Sequence, residues 1–575
     1  MNRRRPVLRL VVAACLLAVV SAAAAGGRES INSQELKEWL TFIASDDLEG
    51  RALYTAGLGL AAGYIQDHLR SWGVLPAGDS GSYLQTVRVL GVKSSNHSTV
   101  TVEIAGETHT FRDGQGIAFP KNVGSKRSFT VDRVEFTGYG LDAPAERHED
   151  YADPDVRAAV KGAAVVWLGS AGPKGLDAQK YRRLRAARNR YATEQLKAAA
   201  SIGAEMPAGG GGRGGRGGPG ASPAGSAAGP GLPAADFSTV QRLDTPIPPS
   251  VTAKDAFFEF LFSHAPSKYS DLKRMADAQE PLPKFRLDGV KLTFNLDADY
   301  EVVRTQLTQN IVAIVEGSDP ELKSTYVAFG AHYDHLGYAE GEIAQGPDGP
   351  RRLGAPGRVT EEKIEDRIWN GADDDGSGTV ALLAIAKAFA QGPRPKRSLL
   401  FVWHTGEERG LLGSRFFADY PTVPLDRMVT QLNMDMIGRN RDDKPTEANT
   451  VYIVGSDRIS TELHNINRAA NEALSKPLTL DYEMNDPSDL EQVYYRSDHY
   501  SYAAKGVPIV FFTTGLHADY HSNTDEVGKI EFAKMTRIVQ LAYETGARVA
   551  NLNHPPERDN QGPRAGKLTT LARKH

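Results

Sequence analysis

Between residues 30 and 75 the apolar positions recur at intervals of three and four: Leu36, Trp39, Leu40 and Ile43, then Leu60, Tyr64, Ile65 and Leu69. That spacing predicts helices with one apolar face. From about 95 to 170 the period falls to two in short runs such as Thr99–Ile104 and Ala163–Leu168, which predicts strands. Residues 177–200, rich in Ala, Arg, Lys and Gln, suit an exposed helix. The stretch 207–234 is dominated by Gly, Ala and Pro and has too little apolar surface to fold, so it reads as a flexible loop. Beyond about 295 strands and helices alternate. Strands are predicted at 311–316, 325–330, 398–403, 429–434, 450–454 and 507–513, and helices at 378–390, 411–419, 460–474 and 529–551. This pattern predicts an α/β fold: a mostly parallel central sheet flanked by helices. In such sheets functional groups collect at the carboxyl ends of the strands.

Charge and composition narrow the function classes. The 575 residues carry 67 basic and 71 acidic side chains, a net charge of −4, which gives no reason to expect nucleic-acid binding. The long apolar run lies at the N-terminus, so a polytopic membrane protein is excluded. Arg3, Arg4 and Arg5, the apolar stretch Leu10–Val20 and the small residues Ala23-Ala24-Ala25 form the three parts of a secretory signal over residues 1–25. A secreted or periplasmic protein is therefore expected, with no stable membrane span after cleavage. Cys15 is the single cysteine. A lipoprotein box ending at Cys15 fits poorly, because the apolar run continues past it. With the signal removed there is no thiolate left, and any metal has to be held by His, Asp and Glu. The polar tail, 553–575, is expected to be disordered.

The candidate chemistry falls at the predicted strand ends. His332 and Asp334 follow one strand; Asp373, Asp374 and Asp375 precede a helix; Glu407 and Glu408 follow a second strand; Asp435 ends a third; His521 follows a fourth. Oxygen donors with imidazole suit zinc, with cobalt or manganese as substitutes. A bridging carboxylate can hold two divalent ions that share an acidified water, and a carboxylate left unliganded beside it can take the proton. An acid two residues after a liganding histidine can fix the ring tautomer. Spacing alone does not choose among the three aspartates. His335, His404, His499 and His517 are expected to support the site, as is Asp498, and Tyr520 is a candidate hydrogen-bond donor to a developing oxyanion.

Taken together, the segments Ala331–Gly337, Asn370–Gly378, Thr405–Ser414, Asn433–Gly438 and Asp519–Asp525 resemble those of the M28 family of co-catalytic zinc metallopeptidases, aminopeptidase type. The resemblance implies a zinc exopeptidase fold with a catalytic domain over 293–552 and an N-terminal helical part over 26–91. It implies two Zn2+ per subunit, with Asp374 bridging, His332 and Asp435 completing one site, and Glu408 and His521 the other. Glu407 becomes the general base and Asp334 the orienting acid. The region 92–292, through Phe136–Asp142, Asp150-Tyr151 and Val160–Val166, resembles an inserted protease-associated domain. The implied activity is removal of N-terminal residues from peptides or proteins. Three rivals stay open: a carboxypeptidase of the family, for which Arg439 or Arg496 would bind the terminal carboxylate; a glutaminyl cyclase; and a non-catalytic, peptidase-like binding protein.

Overall fold

The computed structural model describes residues 26–205, 233–346, 349–355, 357–486 and 489–559. The expected signal with Cys15, nearly all of the glycine-rich stretch, and the tail from 560 lie outside them.

Among the described residues the chain forms two ten-stranded sheets, each with its own core. The main sheet contains β1 (Leu75–Pro76), β2 (Leu84–Asn96), β3 (Phe237–Thr239), β4 (Ala298–Val315), β5 (Tyr326–His332), β6 (Ser398–His404), β7 (Met428–Met434), β8 (Thr450–Val454), β9 (Thr479–Asp481) and β10 (Ile509–Thr513). Its order is β3-β2-β4-β6-β5-β7-β10-β8-β9, with β1 also on β4. The centre, β6-β5-β7-β10, is parallel, and antiparallel pairs flank it on both sides. The flank arises because the long β4 runs back along nearly the whole of β2 and then lies against β6.

Apart from Tyr326, every residue of the central strands is buried, because both faces are covered. Their alternation divides the side chains between two cores. Val327, Phe329 and Ala331 join one with Leu399, Phe401 and Trp403, while Ala328, Leu400 and Val402 join the other. Helix Gly378–Ala390 is buried almost all round in the first core, beside helix Phe532–Ala550. The opposite face carries Leu412–Asp419 and His499–Ala503. No helix among the described residues is long and apolar enough to cross a membrane.

Helix Ser33–Ile43 packs on the first face, its start capped by Asn32, whose side chain accepts the Gln34 and Glu35 N–H groups. Just beyond it Arg51 is fully buried. Its guanidinium donates to the carbonyls of Ile43 (2.6 Å), Tyr333 (3.0 Å), Asn370 (2.6 Å) and Gly371 (3.0 Å), tying the N-terminal segment to two loops at the sheet's carboxyl edge.

The second sheet uses strands between Thr99 and Leu296 and encloses a core rich in phenylalanine, including Phe111, Phe136, Phe257, Phe258 and Phe294. Its helix Ala178–Arg190 faces the main sheet's loops. β2 and β3 lead the chain out of the main sheet and back to its edge.

Candidate metal centre

The carboxyl edge of the parallel strands gathers the segments singled out above. His332 ends β5, Asp435 follows β7, and Glu407 and Glu408 form a single turn after β6. Gly406 and Gly410 bracket that turn with φ of 70° and 100°, so the chain reverses sharply and adjacent glutamates take different environments. His521 lies in the loop after β10, itself left-handed at φ 55°.

Asp374 occupies the middle. Its Oδ1 is 3.3 Å from His332 Nε2 and its Oδ2 is 3.0 Å from His521 Nε2. Asp435 Oδ2 lies 3.7 Å from the same His332 nitrogen. Glu408 Oε2 is 3.0 Å from His521 Nε2, while its Oε1 is 3.0 Å from His335 Nδ1. Glu407 stands further back, 4.0 Å from His332 Nε2, with 13% of its side chain exposed. Burial lifts the Glu407 carboxyl well above the usual carboxylate range, and Glu408 and Asp435 push the same way against His332. Burial works against ionised Asp374 too, yet the histidines at its two oxygens hold it well below that range.

The neighbouring aspartates show why the middle one points inward. Asp375 accepts the His332 N–H (3.1 Å) through Oδ2 and the Gly378 N–H (2.9 Å) through Oδ1. Asp373 accepts the Gly438 N–H at 2.6 Å and faces His517 at 3.3 Å. Asp525 in turn accepts the Asp373 and Asp374 N–H groups. Asp334 connects two parts of the site. Its Oδ1 accepts the Glu407 N–H (3.2 Å) and lies 3.6 Å from His332 Nδ1, whose nearer acceptor is the Asp334 backbone carbonyl at 3.1 Å. His404 lies against Asp498 and Tyr502, and His499 bonds the Tyr494 carbonyl, both one step behind the cluster. Burial lowers His499 to about 3.

Two contributors carry no strong sequence signal. His335, grouped above with the supporting histidines, comes within ligand distance of Asp374 and Glu408. Its spacing of three from His332 is the one local hint. Arg358 grips the His521 loop: its guanidinium donates to the Ala518 (2.6 Å) and Tyr520 (2.7 Å) carbonyls, and its own N–H to the His521 carbonyl (2.7 Å).

The cluster fits divalent metal. One donor atom from each of His332, Asp374 and Asp435, and likewise from His335, Asp374 and Glu408, lies within 4.8 Å of the others in its group. Bonds of about 2.0–2.1 Å to a tetrahedral zinc place donors roughly 3.3 Å apart, close to the 3.3 and 3.7 Å found around His332. His332 Nε2 and His335 Nε2 are buried without a hydrogen-bond partner among the described residues, and so many buried carboxylates need a cation.

Beside the cluster a cavity is lined by Asp374, Glu407 and Asp435 on one wall and by Met436, Met484, Val493, Phe511 and Leu516 on another. Arg496 and Tyr520 also line it. Arg496 donates to Glu491 (3.0 Å) and to the Tyr520 hydroxyl (2.9 Å). Arg439 is paired with Asp519 (3.0 Å) and with Asp443.

Comparison with known proteins places these features. Residues 310–545 match the model of Peptidase family M28. Aminopeptidase Y of Saccharomyces cerevisiae is 25% identical over 287 residues, 47% of this chain and 44% of the yeast protein. A probable leucine aminopeptidase of Trichophyton verrucosum is 27% identical over 299 residues, 49% of this chain and 70% of its own. The chain thus spans less than half the length of the yeast relative. Among solved structures, a zinc aminopeptidase from Bacillus subtilis aligns with 90% of this chain and 94% of its own at 17% identity and a TM-score of 0.39. The ligand segments gathered in one place, from His332 to His521, all lie within the stretch that matches the model of Peptidase family M28.

Proposed function

We propose that the protein is an exported zinc aminopeptidase that removes apolar residues from peptide N-termini. The observation that carries this reading is Asp374, which offers one oxygen beside His332 and the other beside His521. His332 and Asp435 complete one metal site around it, and Glu408 and His521 the other, with His335 held against the second oxygen of Glu408. Zinc held there supplies a Lewis acid for the scissile carbonyl and lowers the pKa of water.

The chain's own groups do the rest. Glu407 Oε2 takes the proton of the attacking water and passes it to the leaving amine. Asp334 holds the Glu407 backbone and the His332 ring in register. The Tyr520 hydroxyl, oriented by Arg496, donates to the oxygen of the attacked carbonyl. Apolar residues of the cavity wall receive the first side chain, while Asp374, Glu407 and Asp435 favour a substrate ammonium. The carboxypeptidase rival calls for a basic group aimed at a terminal carboxylate, and both Arg439 and Arg496 are engaged with acids instead. The aminopeptidase names of the relatives agree with this reading, and it concerns the whole chain, insertion included.

The test is hydrolysis of one leucine-initiated peptide in free, N-acetylated and C-amidated forms, with and without a zinc chelator. Chelator-sensitive cleavage of the free and amidated forms, with the acetylated form spared, is expected. Loss of activity on the amidated form alone overturns the reading in favour of a carboxypeptidase.

A further inference from the structure

We infer that the inserted β-rich region is part of the active site, with Arg183 acting through Glu491 and Arg496 as a positioning residue for the Tyr520 hydroxyl. The inference rests on the aminopeptidase reading for what Tyr520 does, but its geometry stands apart from it.

The connection begins on helix Ala178–Arg190. Arg183 pairs with Glu491 Oε1, and Glu491 Oε2 is 3.0 Å from Arg496 Nη1. The other arm of Arg496, Nη2, donates to Tyr520 at 2.9 Å. The Tyr520 ring lies 4.2 Å from that of His521, which faces Asp374 and Glu408. Each carboxylate oxygen of Glu491 is thus taken by a different arginine, one from the insertion and one from the cavity wall. With one nitrogen of each arginine on its own oxygen, the carboxylate is held from two sides. Arg496 holds its tyrosine through one nitrogen and its acid through the other, so a shift of Glu491 is passed on to the phenol.

The contact between the two regions is a built one. Leu490 packs against the core of the inserted region, while Val493, Tyr494 and Tyr495, a few residues on, pack into the core under the main sheet. Arg190 lies over the Tyr495 ring at 4.6 Å. The short segment that carries Glu491 and Arg496 is therefore clamped between the two cores. Arg183 and Glu491 are themselves part-exposed, 40% and 37%, so their pairing contributes little to global stability. Its effect belongs at the site.

The experiment is a double-mutant cycle on the zinc-loaded full chain, joining Arg183→Ala to Tyr520→Phe, with leucine p-nitroanilide as substrate. Arg183→Ala is expected to lower kcat about fivefold, with melting temperature and bound zinc unchanged and with most of the loss restored in Arg183→Lys. In the Tyr520→Phe background the same change is expected to cost nothing further. Equal losses in both backgrounds, or no loss in kcat, overturn the inference. Amide exchange over residues 489–498 supplies a readout free of turnover: faster exchange in Arg183→Ala is expected, and unchanged exchange overturns the connection. If the wild-type enzyme cleaves nothing, the aminopeptidase reading fails while the exchange result still decides the strut.

Discussion

The two halves of the proposed metal centre are built by different means. His332 and Asp435 stand at the ends of neighbouring parallel strands, and His332 is wholly buried with its backbone N–H fixed by Asp375. His521 sits in a loop well beyond β10, is 16% exposed, and holds a left-handed backbone conformation that costs a non-glycine residue about 1–3 kcal/mol. Glu408 lies in a single turn between two glycines. The strand-built half takes its geometry from the sheet. The loop-built half takes it from side chains that reach in from elsewhere: Arg358 from a surface segment and Arg183, by way of Glu491 and Arg496, from another region.

The largest test falls on the proposed general base. Glu407→Gln is expected to lower kcat by about 10²- to 10⁴-fold while bound zinc, measured by elemental analysis, stays the same; near-normal turnover removes its role as base. Next comes the loop. Arg358→Ala is expected to weaken metal binding at the His521 half by about 10- to 100-fold, seen as early release of one zinc equivalent in chelator competition. Equal loss from both halves erases the distinction between them. Behind the central aspartate, Asp373→Asn keeps its size but loses the charge facing His517, and is expected to destabilise the fold by about 1–3 kcal/mol in thermal melts.

The smallest effect concerns Asp489, in the clamped segment. Desolvation raises its carboxyl to about 6, and the neighbouring Glu491 adds to this against Arg496 and two backbone N–H bonds. A raised folded value favours the neutral form, so its contribution is full below the unfolded value and is lost as pH climbs through about 6. Protection of the amides over 489–498, measured relative to their intrinsic base-catalysed exchange rates, is therefore expected to be greater at pH 5 than at pH 7, and Asp489→Asn to remove that difference.

Much of this was legible along the chain. Alternation of strand and helix after residue 295 indicated the central sheet, and the strand-end rule brought His332, Asp374, Glu407, Glu408, Asp435 and His521 into one neighbourhood. Spacing could not choose among Asp373, Asp374 and Asp375. That choice is made by the N–H groups of Gly438, His332 and Gly378, which occupy the outer two, and these partners are set by tertiary packing. The antiparallel flank was hidden for a similar reason: β2 and β4 are separated by the entire second sheet. Arg358 is one basic residue in a loop and Arg183 one of several arginines on its helix, and only the folded chain gives them their partners.

Arg51 carries a consequence for folding. The four carbonyls it binds belong to helix Ser33–Ile43, the end of β5 and the loop before Asp373, while the last ligand, His521, comes near the end of the described chain. The donors therefore converge only once segments from Ser33 to His521 have folded together, and the centre reports on the folding of the whole span between them.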